Sequence, residues 1–434
     1  IDLRGIVSTL APAFERALLI RGTLDMLGMH DVPVGIGSDG GSLQHESAAI
    51  HAAYIPARFA EGALALEPGR ELLRRLLQEA ASGPSEGKLT LLLIASTKDA
   101  AIMLRDHEEL FVRAVQEVVI MGGCVEGPWM QSDSKLAGEA VGAEDFSATT
   151  AAAVTPVLEP DSAHNNQFDA AAARYLYRRC QELGVRLVVV SRWAAYACKV
   201  PRSLYDEMAT KGSCIGWRLR NEQRSKLEAL WTRSNATDPE GRQGLPARCT
   251  SEWFLKTFCS EEGAKHGAQR GAGDSIWDCV DGFMQYDTVA LLAAVPELRR
   301  KHMRPVKIPG PHGVVHQVIG VSQQDPGILD GDDLAEEMHQ GFAEGIGCNL
   351  RGMRMTENII LLTRVTSNAL VDIKLCCVML RALWSLGEPL LGLLVRPAHT
   401  KALGARGYGT HRQPCEEGRH ASMACAPTSV DIEG

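Results

Sequence analysis

Short apolar runs alternate with helical patterns along most of the chain. Leu89 to Ile94 and Val185 to Val190 are nearly continuous apolar stretches, which are typical of strands covered on both faces. Between them, apolar residues recur at helical spacing, as from Leu72 to Leu77. Repeated βα units of this kind predict an α/β fold, with a mostly parallel sheet and helices on both faces.

The same pattern predicts the remaining elements. Further strands are expected at Ile6 to Thr9, Val32 to Gly37, Val118 to Gly123 and Val314 to Val321, and helices at Ala100 to Ala114, Phe168 to Leu183, Thr288 to Val295 and Asp332 to Phe342. Residues 201 to 262 form a charged helical segment in which Trp217, Trp231 and Trp253 are expected to anchor the core. From Arg351 onward the alternation of strand and helix patterns becomes indistinct. We therefore expect a main domain over residues 1–345 and a partly disordered C-terminal extension over residues 346–434.

Charge narrows the range of partners. The chain of 434 residues carries 45 basic and 53 acidic side chains, a formal charge of −8. This balance gives no electrostatic reason to expect nucleic acid or an anionic membrane as partner. The most apolar window, Ala369 to Val395, is interrupted by charged residues, so no membrane span is expected. A small neutral or cationic ligand fits better, and a homo-oligomer is left open.

The cysteines and the start of the chain indicate which cellular compartment to expect for the protein. Twelve cysteines are present without a Cys-x-x-Cys pair, so neither a zinc ribbon nor a thioredoxin-type motif is expected. No charged-then-apolar leader follows Ile1. Both observations favour a cytoplasmic protein with free thiols.

A dense polar segment precedes the helix that begins near Phe168. Pro160 to Asp169 contains two adjacent amides, an imidazole and two carboxylates, which can line a pocket for a hydroxyl-rich ligand. Such junctions lie at the ligand-binding edge of parallel sheets. The alternative is helix capping by residues such as Asp169, and local evidence favours it, as it does for Asp287 before the helix at Thr288.

Three glycines in and just after the second predicted strand match a dinucleotide-binding pattern. Gly35, Gly37 and Gly40 satisfy Gly-x-Gly-x-x-Gly, but no clear apolar helix follows them. A plain glycine turn is therefore favoured over a pyrophosphate cradle.

Four motifs occur in order along the chain: Val118 to Gly123, His164 to Ala172, Val188 to Ser191 and Tyr286 to Ala290. Together they resemble the inosine-uridine-preferring nucleoside hydrolase family, and the resemblance covers residues 1 to about 345. The family's usual forms include an Ile-Val-Met-Gly-Gly strand end, an Asn four residues before Asp-Pro-Glu-Ala-Ala, and a His-Asp-Pro-Leu-Ala segment. The resemblance implies a nucleoside hydrolase-like α/β fold, hydrolysis of the N-glycosidic bond of a ribonucleoside, and a bound Ca²⁺.

Carried over residue by residue, the resemblance implies a metal ligand at Asp287 and a ribose-binding amide at Asn165, with Asn166 beside it. The backbone carbonyl near Ile94 or Ala95 is a further implied metal ligand. Bond cleavage builds positive charge on the ribose, so it requires oxygen-rich groups and an activated water. Ca²⁺ can hold ribose hydroxyls and that water together. The implied partner is a small-molecule nucleoside, and the implied role is nucleoside catabolism, including purine salvage.

Several family positions are altered. The family's Asp-x-Gly-x-Asp-Asp cluster, which supplies two calcium carboxylates and the catalytic base, would precede Ile1, so the first strand is expected to be missing and catalytic residues stay unassigned. The family's Asn after its second strand falls at Pro12 and its ribose-binding Glu near Ala163. We expect Asp161 to replace that Glu, and Tyr286, which stands where the family has His, to stack on or protonate the leaving base.

These observations support two main hypotheses. The first is a divergent nucleoside hydrolase whose activity is impaired in this fragment. The second is a non-catalytic binding or interaction module that keeps the scaffold. An unrelated doubly wound enzyme is the weakest alternative, since no Gly-x-Ser-x-Gly elbow occurs.

Overall fold

A nine-stranded sheet forms the centre of the protein. The structure is a computed structural model that describes residues 2–41, 64–83, 87–126, 158–211, 214–243, 245–347 and 358–364. The strands of the described residues, in the main sheet and in two smaller sheets, are β1 (Asp2–Thr9), β2 (Val34–Ile36), β3 (Glu67–Pro68), β4 (Leu89–Leu93), β5 (Val115–Met121), β6 (Cys124–Glu126), β7 (Leu158–Pro160), β8 (Arg186–Val190), β9 (Lys199–Pro201), β10 (Gly282–Met284), β11 (Val306–Pro309), β12 (Val315–Ile319) and β13 (Asn358–Arg364).

The main sheet has the order β11-β12-β8-β5-β4-β13-β1-β2-β3. Every neighbouring pair is parallel except β11 and β12, which are antiparallel. Strands β6 and β7 form a small antiparallel pair, as do β9 and β10. The predicted α/β class with a mostly parallel sheet is therefore confirmed.

Helices cover both faces of this sheet. In chain order they are α1 (Ala13–Met26), α2 (Gly69–Ser82), α3 (Lys98–Asp106), α4 (Glu108–Ala114), α5 (His164–Gln167), α6 (Ala170–Glu182), α7 (Arg192–Tyr196), α8 (Ser203–Thr210), α9 (Cys214–Asn235), α10 (Pro239–Arg242), α11 (Ser251–Phe258), α12 (Glu261–Gly267), α13 (Tyr286–Ala293), α14 (Pro296–His302) and α15 (Gly331–Gly347). Leu92 of β4 packs in one apolar cluster with α1 and α13, whereas its neighbours Leu91 and Leu93 pack in a second with α2, α3 and α6. Alternate strand residues thus fill two cores, which explains the continuous apolar runs.

The helical segment after β9 corrects one expectation. Trp231 of α9 is fully buried and Trp253 of α11 is partly buried, as anchors of a core should be. Trp217, also on α9, is 59% exposed, so its prediction as a core anchor is wrong. In the part of the chain that the structure describes, every helix is too short or too polar to cross a bilayer.

Strand β13 lies between β1 and β4, in the middle of the sheet. It pairs from Asn358 to Arg364 with β1, and from Asn358 to Leu362 with β4. The expectation that the strand pattern ends before Arg351 is therefore wrong, and the sheet extends past residue 345. The first compact unit of the chain reaches Leu391. The predicted disorder falls largely on residues 365–434, which lie outside the described residues.

Candidate functional site

A pocket opens where β4, β5 and β8 end. Leu93 of β4 lies opposite Ile120 of β5, and Met121 of β5 lies opposite Val190 of β8, so the carboxyl ends of the three strands are level. The pocket has a volume of about 480 Å³, within the usual range for small-molecule sites. Its lining comprises Ile94, Met121, Gly122, Asp161, Ser162, Ala163, His164, Asn165, Gln167, Ser191, Arg192, Trp193, Tyr196, Tyr286 and Asp287.

The chain from the end of β7 through α5 carries two predicted site residues into this pocket. Asn165 donates from Nδ2 to the carbonyl of Met121, 2.7 Å away, which ties its amide to the end of β5. Asp161 lies against Gly123, where a Cβ atom would stand 2.2 Å from its Oδ2. A glycine is therefore required at 123 for this carboxylate to approach the strand end. The Oδ1 of Asp161 accepts the backbone N–H of Ala163 at 2.8 Å.

Asn166, expected beside Asn165 as a ligand-binding residue, lies outside the pocket lining. Its side chain is buried and donates from Nδ2 to the carbonyl of Gly123 at 2.9 Å. The hydroxyl of Tyr177 donates to the same carbonyl at 3.3 Å. Burial raises the pKa of Tyr177 well above its ordinary value, so this hydroxyl stays protonated. Asn166 therefore shapes the loop that holds Asp161 rather than facing the pocket.

The start of α13 supplies the last two predicted residues. Tyr286 and Asp287 both line the pocket, although they follow Asn165 by more than a hundred residues in the chain. They reach it because α13 packs against β5 and β8. Asp287 is 6% exposed, so its carboxylate lies deep in the site. The cavity thus contains Asn165, Asp161, Tyr286 and Asp287 together.

Asp169, the second acidic residue of the polar segment, caps a helix. The carboxylate of Asp169 accepts the backbone N–H of Ala172 at 3.0 Å and so caps α6. This outcome agrees with the local interpretation of Asp169. Asp169 does not line the pocket.

An aromatic wall was not predicted from the sequence. Tyr196 lies edge-on to Tyr286, with ring centroids 6.1 Å apart, and edge-on to Trp193 at 5.6 Å. Trp193 and Tyr196 belong to the five-residue helix α7, directly after β8. The sequence does contain an indication of this wall. The two aromatic residues are three positions apart just after a predicted strand, and residues at that spacing lie on one face of a helix.

The described residues do not form a calcium site. Asp287 and a backbone carbonyl near Ile94 are the implied ligands, whereas Ca²⁺ takes about six to eight oxygens. Within the described residues, no group of three or more His, Cys, Asp or Glu side chains is arranged to hold a metal ion. The donor set of the described residues therefore does not fit the calcium that the resemblance implies.

A second cavity lies away from the strand ends. It has a volume of about 590 Å³ and lies among α9, α11 and α12, with Trp231, Lys256 and Cys259 in its lining. None of the predicted site residues belongs to it. The pocket at the sheet edge is therefore the candidate functional site.

The architecture of this chain is shared by solved structures. No family model and no curated protein matches the chain. The crystal structure of type III effector protein XopQ complexed with adenosine diphosphate ribose is 24% identical, with a TM-score of 0.55 over 88% of this chain and 86% of that chain. The effector protein XOO4466 is 23% identical, with a TM-score of 0.54 over 88% and 85%.

A named nucleoside hydrolase is also similar. The purine-preferring ribonucleoside hydrolase from Gardnerella vaginalis is 13% identical, with a TM-score of 0.41 over 88% of this chain and 91% of that chain. At such identities a likeness to solved structures establishes the fold alone. The two effector structures share the mostly parallel α/β fold of this chain, and the order of motifs in its sequence resembles that of the nucleoside hydrolases. The chain therefore has a nucleoside hydrolase-like α/β fold.

Proposed function

We propose that this protein binds a ribonucleoside, or a ligand that contains one, in the pocket at the sheet edge. The observation that carries the proposal is the convergence of Asn165, Asp161 and Asp287 in one pocket that also contains the aromatic wall. Carboxylate and amide oxygens accept the O–H groups of a ribose, and aromatic rings stack on a base. The adenosine diphosphate ribose complexed with the similar effector XopQ belongs to the same ligand class.

In this proposal the ribose lies toward the floor of the pocket and the base toward its wall. Asp287 is almost completely buried, so a hydroxyl donating to it forms a charge-assisted hydrogen bond away from solvent. Tyr196 is 43% exposed and Tyr286 is partly exposed, so each ring has exposed surface that a ligand can cover. Burial of that surface by a base would add to affinity.

Isothermal titration calorimetry with inosine, uridine and adenosine tests this proposal. Asp287→Asn removes the charge while keeping the shape, so we expect binding about tenfold weaker, ~1.4 kcal/mol. Asp281→Asn makes the same change at an exposed position outside the pocket and is expected to leave affinity unchanged. Absence of binding by the parent protein, or equal affinity in the two variants, would contradict the proposal.

Hydrolysis of the N-glycosidic bond is the second candidate. It is favoured by the two carboxylates of the pocket, since Asp161 and Asp287 can stabilise positive charge that develops on a ribose ring. Release of free ribose, measured with and without added Ca²⁺, separates this candidate from binding alone. Turnover that is lost in both Asp161→Ala and Asp287→Asn would establish it. A cytoplasmic role in purine salvage belongs to this second candidate and rests on the sequence.

A further inference from the structure

Arg192 occupies a distinctive place at the pocket. It is the first residue of α7, directly after the end of β8, and it lines the cavity. Its side chain is exposed, and its guanidinium carbon lies 4.8 Å from the centre of the Trp193 ring. Stacking of this kind holds the guanidinium plane while leaving its N–H edges open to a ligand.

No carboxylate within the described part of the chain pairs with Arg192. Other arginines near the sheet are engaged, as Arg179 is by Glu108 and Glu182, and Arg299 by Glu117. A cation in the wall of a binding pocket that has no such partner is available for an anionic ligand group.

The charged residues of the pocket differ in exposure. Asp287 is 6% exposed, whereas Arg192 is exposed to solvent. Asp161, the other carboxylate in the lining, has its Oδ1 occupied by the N–H of Ala163. A ligand with hydroxyls at one end and negative charge at the other matches this arrangement. Its hydroxyls can donate to the carboxylate of Asp287, and its negatively charged group can accept from the N–H groups of Arg192.

We propose that Arg192 binds a phosphate group carried by the ligand beyond its ribose, so that the site takes a nucleotide in preference to the bare nucleoside. The inference rests on the proposed function, since the base and ribose occupy the pocket as described there. Arginine suits this role because its planar fork of N–H donors matches two phosphate oxygens at once.

The experiment compares the dissociation constants of adenosine, AMP and ADP, measured by calorimetry at low and at physiological ionic strength. In the parent protein we expect ADP to bind at least about tenfold more tightly than adenosine, with a smaller ratio at higher salt. In Arg192→Gln that ratio should fall to about one, and Arg192→Lys should restore part of it. Pyrophosphate should compete with ADP.

Arg300→Gln is the matched control, because it removes the same charge at a side chain that is 70% exposed on α14, outside the pocket. It should keep the parent's ratio. Equal affinity for adenosine and ADP in the parent would overturn the role of Arg192 while leaving nucleoside binding in place. A ratio reduced equally in Arg192→Gln and Arg300→Gln would also overturn it, by assigning the effect to net charge. Absence of binding by all three ligands would remove the proposed function and this inference together.

Discussion

His316 on β12 shows how one buried side chain can make stability depend on pH. Its ring is fully buried, and its Nδ1 accepts the backbone N–H of Leu187 on β8 at 3.1 Å. Burial, with a smaller contribution from Arg186, lowers the pKa of His316 to about 4. A neutral imidazole is therefore part of the folded state.

Acid should weaken the fold through this residue. In the unfolded chain this histidine is protonated below its ordinary pKa of about 6.5, whereas in the folded protein it stays neutral down to about pH 4. Protonation between these pH values therefore favours unfolding. The free energy of unfolding should fall by up to about 3 kcal/mol between these pH values. Urea titrations of His316→Gln should show a shallower decline. His266→Gln, at an exposed histidine, should keep the parent's slope, and equal slopes in all three proteins would refute the assignment.

The candidate site could be predicted from the sequence where polar residues lie between a strand and the first turn of the next helix. Asp161, Asn165 and Asp287 lie in such segments, and the structure brings them to one cavity. Asn166 could not be separated from Asn165 by sequence, because the direction of two adjacent side chains depends on the short helix α5. Arg192 lies directly after β8, but the contact that orients its side chain becomes visible only in three dimensions.

At the scale of elements, Asp99 joins three of them. This buried residue, near the start of α3, accepts hydrogen bonds from Thr9 of β1 at 2.7 Å and from the backbone N–H and hydroxyl of Ser38 at 2.9 and 3.0 Å. Burial raises the pKa of Asp99, and these hydrogen bonds oppose the shift. A Cβ atom at Gly37 would stand 2.8 Å from its Oδ2.

The glycine-rich pattern after β2 is explained by this packing. A Cβ atom at Gly35 would approach the Cα of Gly69 to 2.7 Å, and one at Gly37 would approach the carbonyl of Ser8 to 2.4 Å. Both glycines are therefore required by close contacts within the protein. This agrees with the interpretation that needs no dinucleotide, although the residues after Gly41 lie outside the described range.

Loss of the Asp99 carboxylate should be costly. Asp99→Ala leaves the buried hydroxyl of Thr9 and the half-buried donors of Ser38 without this acceptor, so we expect the free energy of unfolding to fall by about 2–4 kcal/mol. The control is Asp106→Ala, at the other end of α3, where the ion pair with Arg105 is near the surface and should contribute less than about 1 kcal/mol. Denaturant unfolding of both variants measures the difference. Similar losses in the two would contradict a linking role for Asp99.

At the scale of the whole molecule, the position of β13 decides whether the sheet is continuous. Its sequence, Ile359 to Thr363, is a short apolar run of the kind that predicts a strand. Its place in the sheet could not be predicted, because its partners β1 and β4 lie far away along the chain and local patterns carry no information on such pairing. The alternation of strand and helix was visible elsewhere because each unit is local. The order of strands in the sheet was not.

Shortened chains test the role of β13. A chain that ends at Leu391 retains the strand and the whole first compact unit, so we expect cooperative thermal unfolding close to that of the full protein. A chain that ends at Gly347 lacks the strand, which leaves β1 and β4 without their shared partner, so we expect no cooperative transition. In the full chain, Leu361→Pro removes a backbone donor from a central strand and should cost at least about 3 kcal/mol. Matching melting curves for the two shortened chains would show that the strand is dispensable.

The late position of β13 also sets the order in which the protein can be made. During synthesis, β1 and β4 leave the ribosome long before Asn358, by roughly 15–70 s at ordinary translation rates. Over that interval two apolar strands present open edges to any other extended segment nearby. Those edges therefore stay open, or pair temporarily with another segment, until β13 is inserted between them.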